Sequence, residues 1–160
     1  MANKPARLWN AAISSGITLK EWGDLVDTVS LCFSKGMGAP VGSVLVGPDA
    51  VLCKAYELRK LLGGGMRQAG VLANACLYAL DHHYERLQED HDNAKKLGEG
   101  FAALAGVDLD FPVETNLVWF KVAEGAERAQ KICEWFESRS IMGGIFKLAA
   151  KICLFTLPIK

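Results

Sequence analysis

The residues best suited to chemistry in this sequence are a lysine held among glycines, a run of three glycines ahead of an arginine, and a group of histidines. Lys35 lies in Phe33-Ser34-Lys35-Gly36-Met37-Gly38-Ala39-Pro40, directly after an apolar, β-branched run. Glycines beside a lysine let backbone or ligand approach closely. A lysine amine that is desolvated or crowded by cations gives up its proton near neutral pH and attacks carbonyl carbons, forming a Schiff base. From local pattern alone Lys35 is either such a nucleophile or a solvated turn residue. Gly63-Gly64-Gly65, just before Met66-Arg67, reads as a phosphate cradle or as a helix stop, and taken alone the stop is the better reading. His82, His83, His91 and Asp92 have neither the spacing nor the cysteine company of a metal centre. They are expected on a helix surface, and no metal is expected.

These residues need elements to hold them. The run Leu25 to Phe33 has strand parity and dense β-branching. A tight loop follows over Ser34 to Pro40, then a second strand over Val41 to Val46, which places Lys35 at the carboxyl end of a buried strand. Asp49 to Leu62 predicts a helix with Asp49 as its N-cap. Met66 to Leu80, built on alanines and leucines, predicts a deeply buried helix. Asp81 to Leu104 predicts a longer amphipathic helix, with Leu87, Ala94, Leu97, Phe101 and Leu104 on its apolar side. Val107 to Val113 and Asn116 to Val122 read as strands and Ala126 to Ser138 as a helix, a change of style that suggests a second, smaller α+β domain. The boundary is expected near Arg86, and residues 145–160 form an apolar tail with no evident partner.

Composition bounds the function. The 160 residues carry 18 Lys and Arg against 18 Asp and Glu, so no net basic field exists to attract nucleic acid or an anionic membrane. Apolar stretches are broken by charge or glycine too early to span a bilayer. The first eight residues lack the apolar core of a signal peptide. Five cysteines, an odd number without a close pair, suit buried thiols in a reducing cytoplasm. The four tryptophans read as core or interface aromatics.

Several segments together resemble one family. Phe33 to Ser43 is similar to the cofactor-lysine segment of low-specificity L-threonine aldolases, pyridoxal-phosphate enzymes of the aspartate-aminotransferase-like fold. Arg59 to Gly70 resembles their glycine-rich segment, and Leu87 to Ala94 their linking helix. Val113-Glu114-Thr115-Asn116 resembles the opening of a small-domain strand, and Ala6 to Ala11 the end of the aspartate-glycine-alanine-arginine motif. The likeness covers about residues 6 to 142, in the family's order.

The resemblance implies an α/β fold comprising the carboxyl-terminal part of a cofactor-binding large domain (1–86), a small α+β domain (87–144) and a divergent apolar tail (145–160). It implies Lys35 as the lysine joined to pyridoxal 5'-phosphate, Arg67 near the cofactor phosphate, Arg7 on the substrate carboxylate and Lys60 on the substrate side. A guanidinium fork suits a planar carboxylate. The implied reaction is retro-aldol cleavage of L-threonine and L-allo-threonine to glycine and acetaldehyde, in a cytoplasmic homo-oligomer formed through the large-domain interface. Where the family carries aspartate-glycine, this chain has Lys4-Pro5, and a lysine opposes a protonated pyridine nitrogen. Residues 147–151 offer no match to a second carboxylate-binding arginine. The resemblance thus implies a truncated form with both ends altered and impaired turnover. The alternative is an inactive cofactor-binding remnant, or an interaction protein docking on full-length subunits.

Overall fold

The computed structural model describes residues 2–3, 7–123, 125–139, 143–146 and 151–155, with side chains at 7–123 and 125–139. Lys4 and Pro5 lie outside the described residues. The chain divides into two compact units, Met1–Leu87 and Gln88–Lys160.

The first unit is built on a three-stranded sheet of β1 (Ala2–Asn3), β2 (Thr28–Cys32) and β3 (Ser43–Val46), in that order. β1 runs parallel to β2, and β3 antiparallel, with Cys32 opposite Ser43. Along β2 the period-two pattern buries Val29 and Leu31 and continues to Phe33, as a strand with one face on a core requires. Helix α1 (Leu8–Ser15) lays Leu8 and Trp9 into that core and also buries Ala12. The Trp9 indole N–H donates to the Cys32 carbonyl at 2.9 Å, and its ring meets Phe33 with centroids 5.2 Å apart. Helix α2 (Leu19–Asp24) starts with a capping box: Glu21 N–H donates to the Thr18 hydroxyl and Thr18 N–H donates to the Glu21 carboxylate.

Helices α3 (Asp49–Leu61) and α4 (Gly70–His82) follow; Asp49 is the first residue of α3 and not its expected N-cap, a position that Pro48 takes without a side-chain hydrogen bond. Gly63, at φ +81°, stops α3. The expected deep burial of the second of these helices is not found. Only Ala79 of α4 is buried, while Val71 is 74% exposed and Leu77 and Tyr78 are each 56% exposed. Sequence composition marked α4 as apolar on all sides, but the described residues cover just one of them.

In the second unit, α5 (Leu87–Ala102, whose first residue still belongs to the first unit) and α6 (Gly125–Glu137) accompany β4 (Val107–Leu109), β5 (Leu117–Val122), β6 (Gly143–Phe146) and β7 (Lys151–Phe155). The four strands form an antiparallel sheet in the order β4-β5-β7-β6. Of the expected tail, the described residues 145–146 and 151–155 therefore do have partners. β7 pairs with β5 from Leu117↔Phe155 to Lys121↔Lys151. That pairing joins segments about thirty residues apart, which local periodicity does not report. Val118, Phe120 and Val122 point from β5 into a core with Ala94, Ala129, Cys133 and Phe136, and Phe120 stacks on Phe101 at 4.4 Å.

The expectation of surface histidines also fails for His91, which is 1% exposed on α5. Burial holds its imidazole below the usual histidine range, Lys95 adds to the effect and Asp92 opposes it. The unfolded chain then binds the His91 proton more readily than the fold, so stability falls as pH drops through the unfolded histidine pKa of about 6.5. The urea midpoint is expected to be lower at pH 5.5 than at pH 7.5, and His91→Asn should flatten that difference. Phe120→Ala should cost about 3–5 kcal/mol, measured by the same denaturation at pH 7.5.

Candidate active site

The site is built from the end of β2 outward. Phe33 follows the strand with both backbone groups engaged. Its N–H donates to the Gly42 carbonyl and its carbonyl accepts from Ala39 N–H, each at 3.0 Å. Residues 34–41 are thereby closed into a loop whose base is tied to the sheet. Inside it, Gly38 N–H donates to the Lys35 carbonyl at 2.8 Å, so Lys35 opens a four-residue turn through Gly36 and Met37. Gly38 has φ +69°, a conformation that suits glycine. Met37 is fully buried and Ala39 nearly so, while Lys35 is exposed. The turn is anchored by apolar burial at its far end and presents the amine at its near end. That amine makes no ion pair or hydrogen bond among the described residues.

The opening turn of α1 packs against this loop. A methyl group on Gly36 would come within 3.0 Å of the Asn10 side-chain oxygen and 3.1 Å of Leu87 Cδ2. Asn10 is 1% exposed. Arg7 precedes it by one helical turn at the N-cap position of α1, half-buried, with its carbonyl accepting from Ala11 N–H at 3.1 Å. The structure therefore brings the backbone segments bearing Arg7 and Lys35 together through Asn10 and Gly36.

Lys60 and Arg67 belong to a different wall. Lys60 lies in the last turn of α3 with its ammonium 5.2 Å from the centre of the Tyr56 ring. Arg67 is exposed between α3 and α4. The glycine run is held by Arg59, whose Nε donates to the Gly64 carbonyl at 2.7 Å while Gly64 N–H donates back to the Arg59 carbonyl. An open apolar groove of about 850 Å³ runs along α3, α4 and β3, with Phe33, Leu52, Tyr56, Arg59 and Leu72 in its lining. None of Arg7, Lys35, Lys60 and Arg67 lines it. It shares only Phe33 with the lysine loop.

Two contributors are invisible to local sequence reading. Asn10 is a lone polar residue on an apolar helix face, and nothing in its neighbours signals burial against Gly36. His83, expected on a surface, is half-buried and reaches the Met37 carbonyl at 2.7 Å. The cysteines are mixed: Cys133 is buried, Cys32 and Cys76 are half-buried, and Cys53 is exposed, against the expectation of buried thiols. Burial and the Glu137 carboxylate push the Cys133 thiol up. Cys153 lies outside the described side chains. Among the described residues, no group of three or more His, Cys, Asp or Glu is arranged to hold a metal ion, and no helix is long and apolar enough to cross a membrane.

The chain is 45% identical over 114 residues to a low-specificity L-threonine aldolase of Candida albicans, covering 71% of this chain and 30% of that protein. It is 42% identical over 137 residues to the low specificity L-threonine aldolase of Escherichia coli strain K12, covering 86% and 40%. The chain thus spans between about three tenths and two fifths of the length of these relatives. Among solved structures, it resembles a candidate L-allo-threonine aldolase from Listeria monocytogenes EGD-E, with a TM-score of 0.81 at 23% identity over 99% of this chain and 45% of that one. A threonine aldolase from Leishmania major gives a TM-score of 0.66 at 17% identity over 98% and 46%. These likenesses establish the α/β, aspartate-aminotransferase-like fold expected from the sequence. The beta-eliminating lyase family model matches residues 5–125, some three quarters of the chain, and the chain belongs to that family.

Proposed function

We propose that this chain carries the lysine-bearing part of a pyridoxal-phosphate-dependent aldehyde-lyase that cleaves L-threonine and L-allo-threonine to glycine and acetaldehyde. The observation that carries the reading is the exposed amine of Lys35 on a turn clamped to the end of β2. The residues fit the aldehyde end of the cofactor: the amine is accessible, its backbone is fixed, and Gly36 and Gly38 leave no side chain in the way. When bound, the cofactor supplies an electron sink for the pair left on the substrate α-carbon.

The rest is the work of this chain's own groups. Lys35 Nζ, once deprotonated, is the nucleophile for the cofactor aldehyde. Arg7, on the segment that Asn10 holds against the lysine turn, receives the substrate carboxylate in a planar fork. Arg67 and Lys60, on the α3–α4 wall, supply positive charge for the cofactor phosphate and the substrate side. In this reading residues 1–86 are the carboxyl-terminal part of the large domain and 87–144 belong to the small one. The relatives' names support the substrate, and the cation-to-anion match supports the residue roles.

The apolar groove and the exposed apolar side of α4 favour assembly. A contiguous apolar face of this kind marks an interaction surface, and we read it as the face through which the protein forms a homo-oligomer. The four described cysteines are unpaired, which suits a cytoplasmic enzyme of threonine breakdown and glycine formation.

With pyridoxal phosphate supplied, the chain should release glycine and acetaldehyde from L-threonine only slowly, in keeping with impaired turnover, read by coupling the aldehyde to an alcohol dehydrogenase. Lys35→Ala should abolish that release. Equal turnover in the variant would refute the assignment of Lys35, and no turnover in either would favour the non-catalytic remnant. Gly36→Ala should lower unfolding stability by about 1–3 kcal/mol through overpacking against Asn10 and Leu87, as urea denaturation would register.

A further inference from the structure

We infer that His83 is a positioning residue for Lys35, a tether that holds the outer arm of the lysine turn. The inference rests on the cofactor-lysine reading above. Phe33 fixes the base of the loop, but the turn itself projects beyond the sheet and needs a second point of attachment. His83 provides it from 46 positions away: its Nδ1 lies 2.7 Å from the carbonyl oxygen of Met37, the third residue of the turn that Lys35 opens. A carbonyl only accepts, so Nδ1 carries the proton and donates it. The imidazole also occupies the space beside Gly38, where a methyl group would come within 3.3 Å of Nδ1.

The histidine is itself held. Its backbone N–H donates to the Ala79 carbonyl at 2.9 Å, continuing the last turn of α4. The Tyr78 ring meets the imidazole edge-on at 5.6 Å and 86°. Tyr78 also stacks on His82 at 4.0 Å, so adjacent histidines take different tasks, one exposed on the helix and one turned toward the loop. Met37 is fully buried and its carbonyl is the turn's link to α4. Removing the donor frees the Met37–Gly38 peptide to rotate, and the Lys35 turn loses its fixed aim.

Asparagine places an amide N–H two bonds beyond Cβ, where the imidazole Nδ1–H stands, and alanine places nothing there. The test compares wild type, His83→Ala and His83→Asn in the full chain by two readouts. The first is hydrogen exchange at the Gly38 amide, whose partner is the Lys35 carbonyl. The second is the rate of borohydride-stable pyridoxyl labelling at Lys35, relative to Lys54 and Lys95, at limiting pyridoxal phosphate. His83→Ala should speed Gly38 exchange and slow Lys35 labelling, each by about three- to tenfold, and His83→Asn should restore both. Wild-type exchange and labelling in His83→Ala would overturn the tether, as would failure of asparagine to restore them where thermal unfolding matches wild type. If wild-type Lys35 takes no label, the cofactor reading fails, and Gly38 exchange alone still decides whether His83 holds the turn.

Discussion

The double backbone bond at Phe33 is the constraint on which the rest of this site depends. A lysine is a long, flexible chain whose side-chain entropy works against any fixed position. What can be fixed is the backbone it leaves from, and Phe33 does this by bonding Gly42 on one side and Ala39 on the other. Its buried ring, set against Trp9, prevents the strand end from fraying. Trp9 in turn bonds the Cys32 carbonyl, so α1, β2 and the loop share one corner. Asn10 meets the lysine segment at Gly36 through that corner, and Arg7 opens the same helix.

The legible part of the fold was the part with strong local signals. Val29, Leu31 and Phe33 alternate and sit on one face, and the strand they predict is β2. The glycine run ends α3 and the helix read over Ala126 to Ser138 is α6, each within a residue of its observed bounds. The lysine loop was legible because glycines and a proline crowd after it. What was not legible is long-range. β7 joins β5 through backbone bonds that leave no trace in either segment's periodicity. His83 and His91 are histidines on helices, and only tertiary packing tells which is buried, which bonds a distant carbonyl and which faces water. Asn10 is polar and yet buried because it sits opposite a residue with no side chain. In each case the deciding partner is far away in sequence.

The apolar side of α4 shows the same limit in reverse. Its composition promises burial, and the described residues cover only the side bearing Ala79. The groove beside it shares Phe33 with the lysine loop.

The central claim is that one lysine of the twelve in the chain is distinguished by its backbone. Site-resolved mapping of borohydride-reduced pyridoxal phosphate, added at one equivalent, tests it most directly. The account predicts that Lys35 takes most of the label, with the other lysines near background. Label spread evenly over the exposed lysines, with Lys35 no richer than its neighbours, would contradict it.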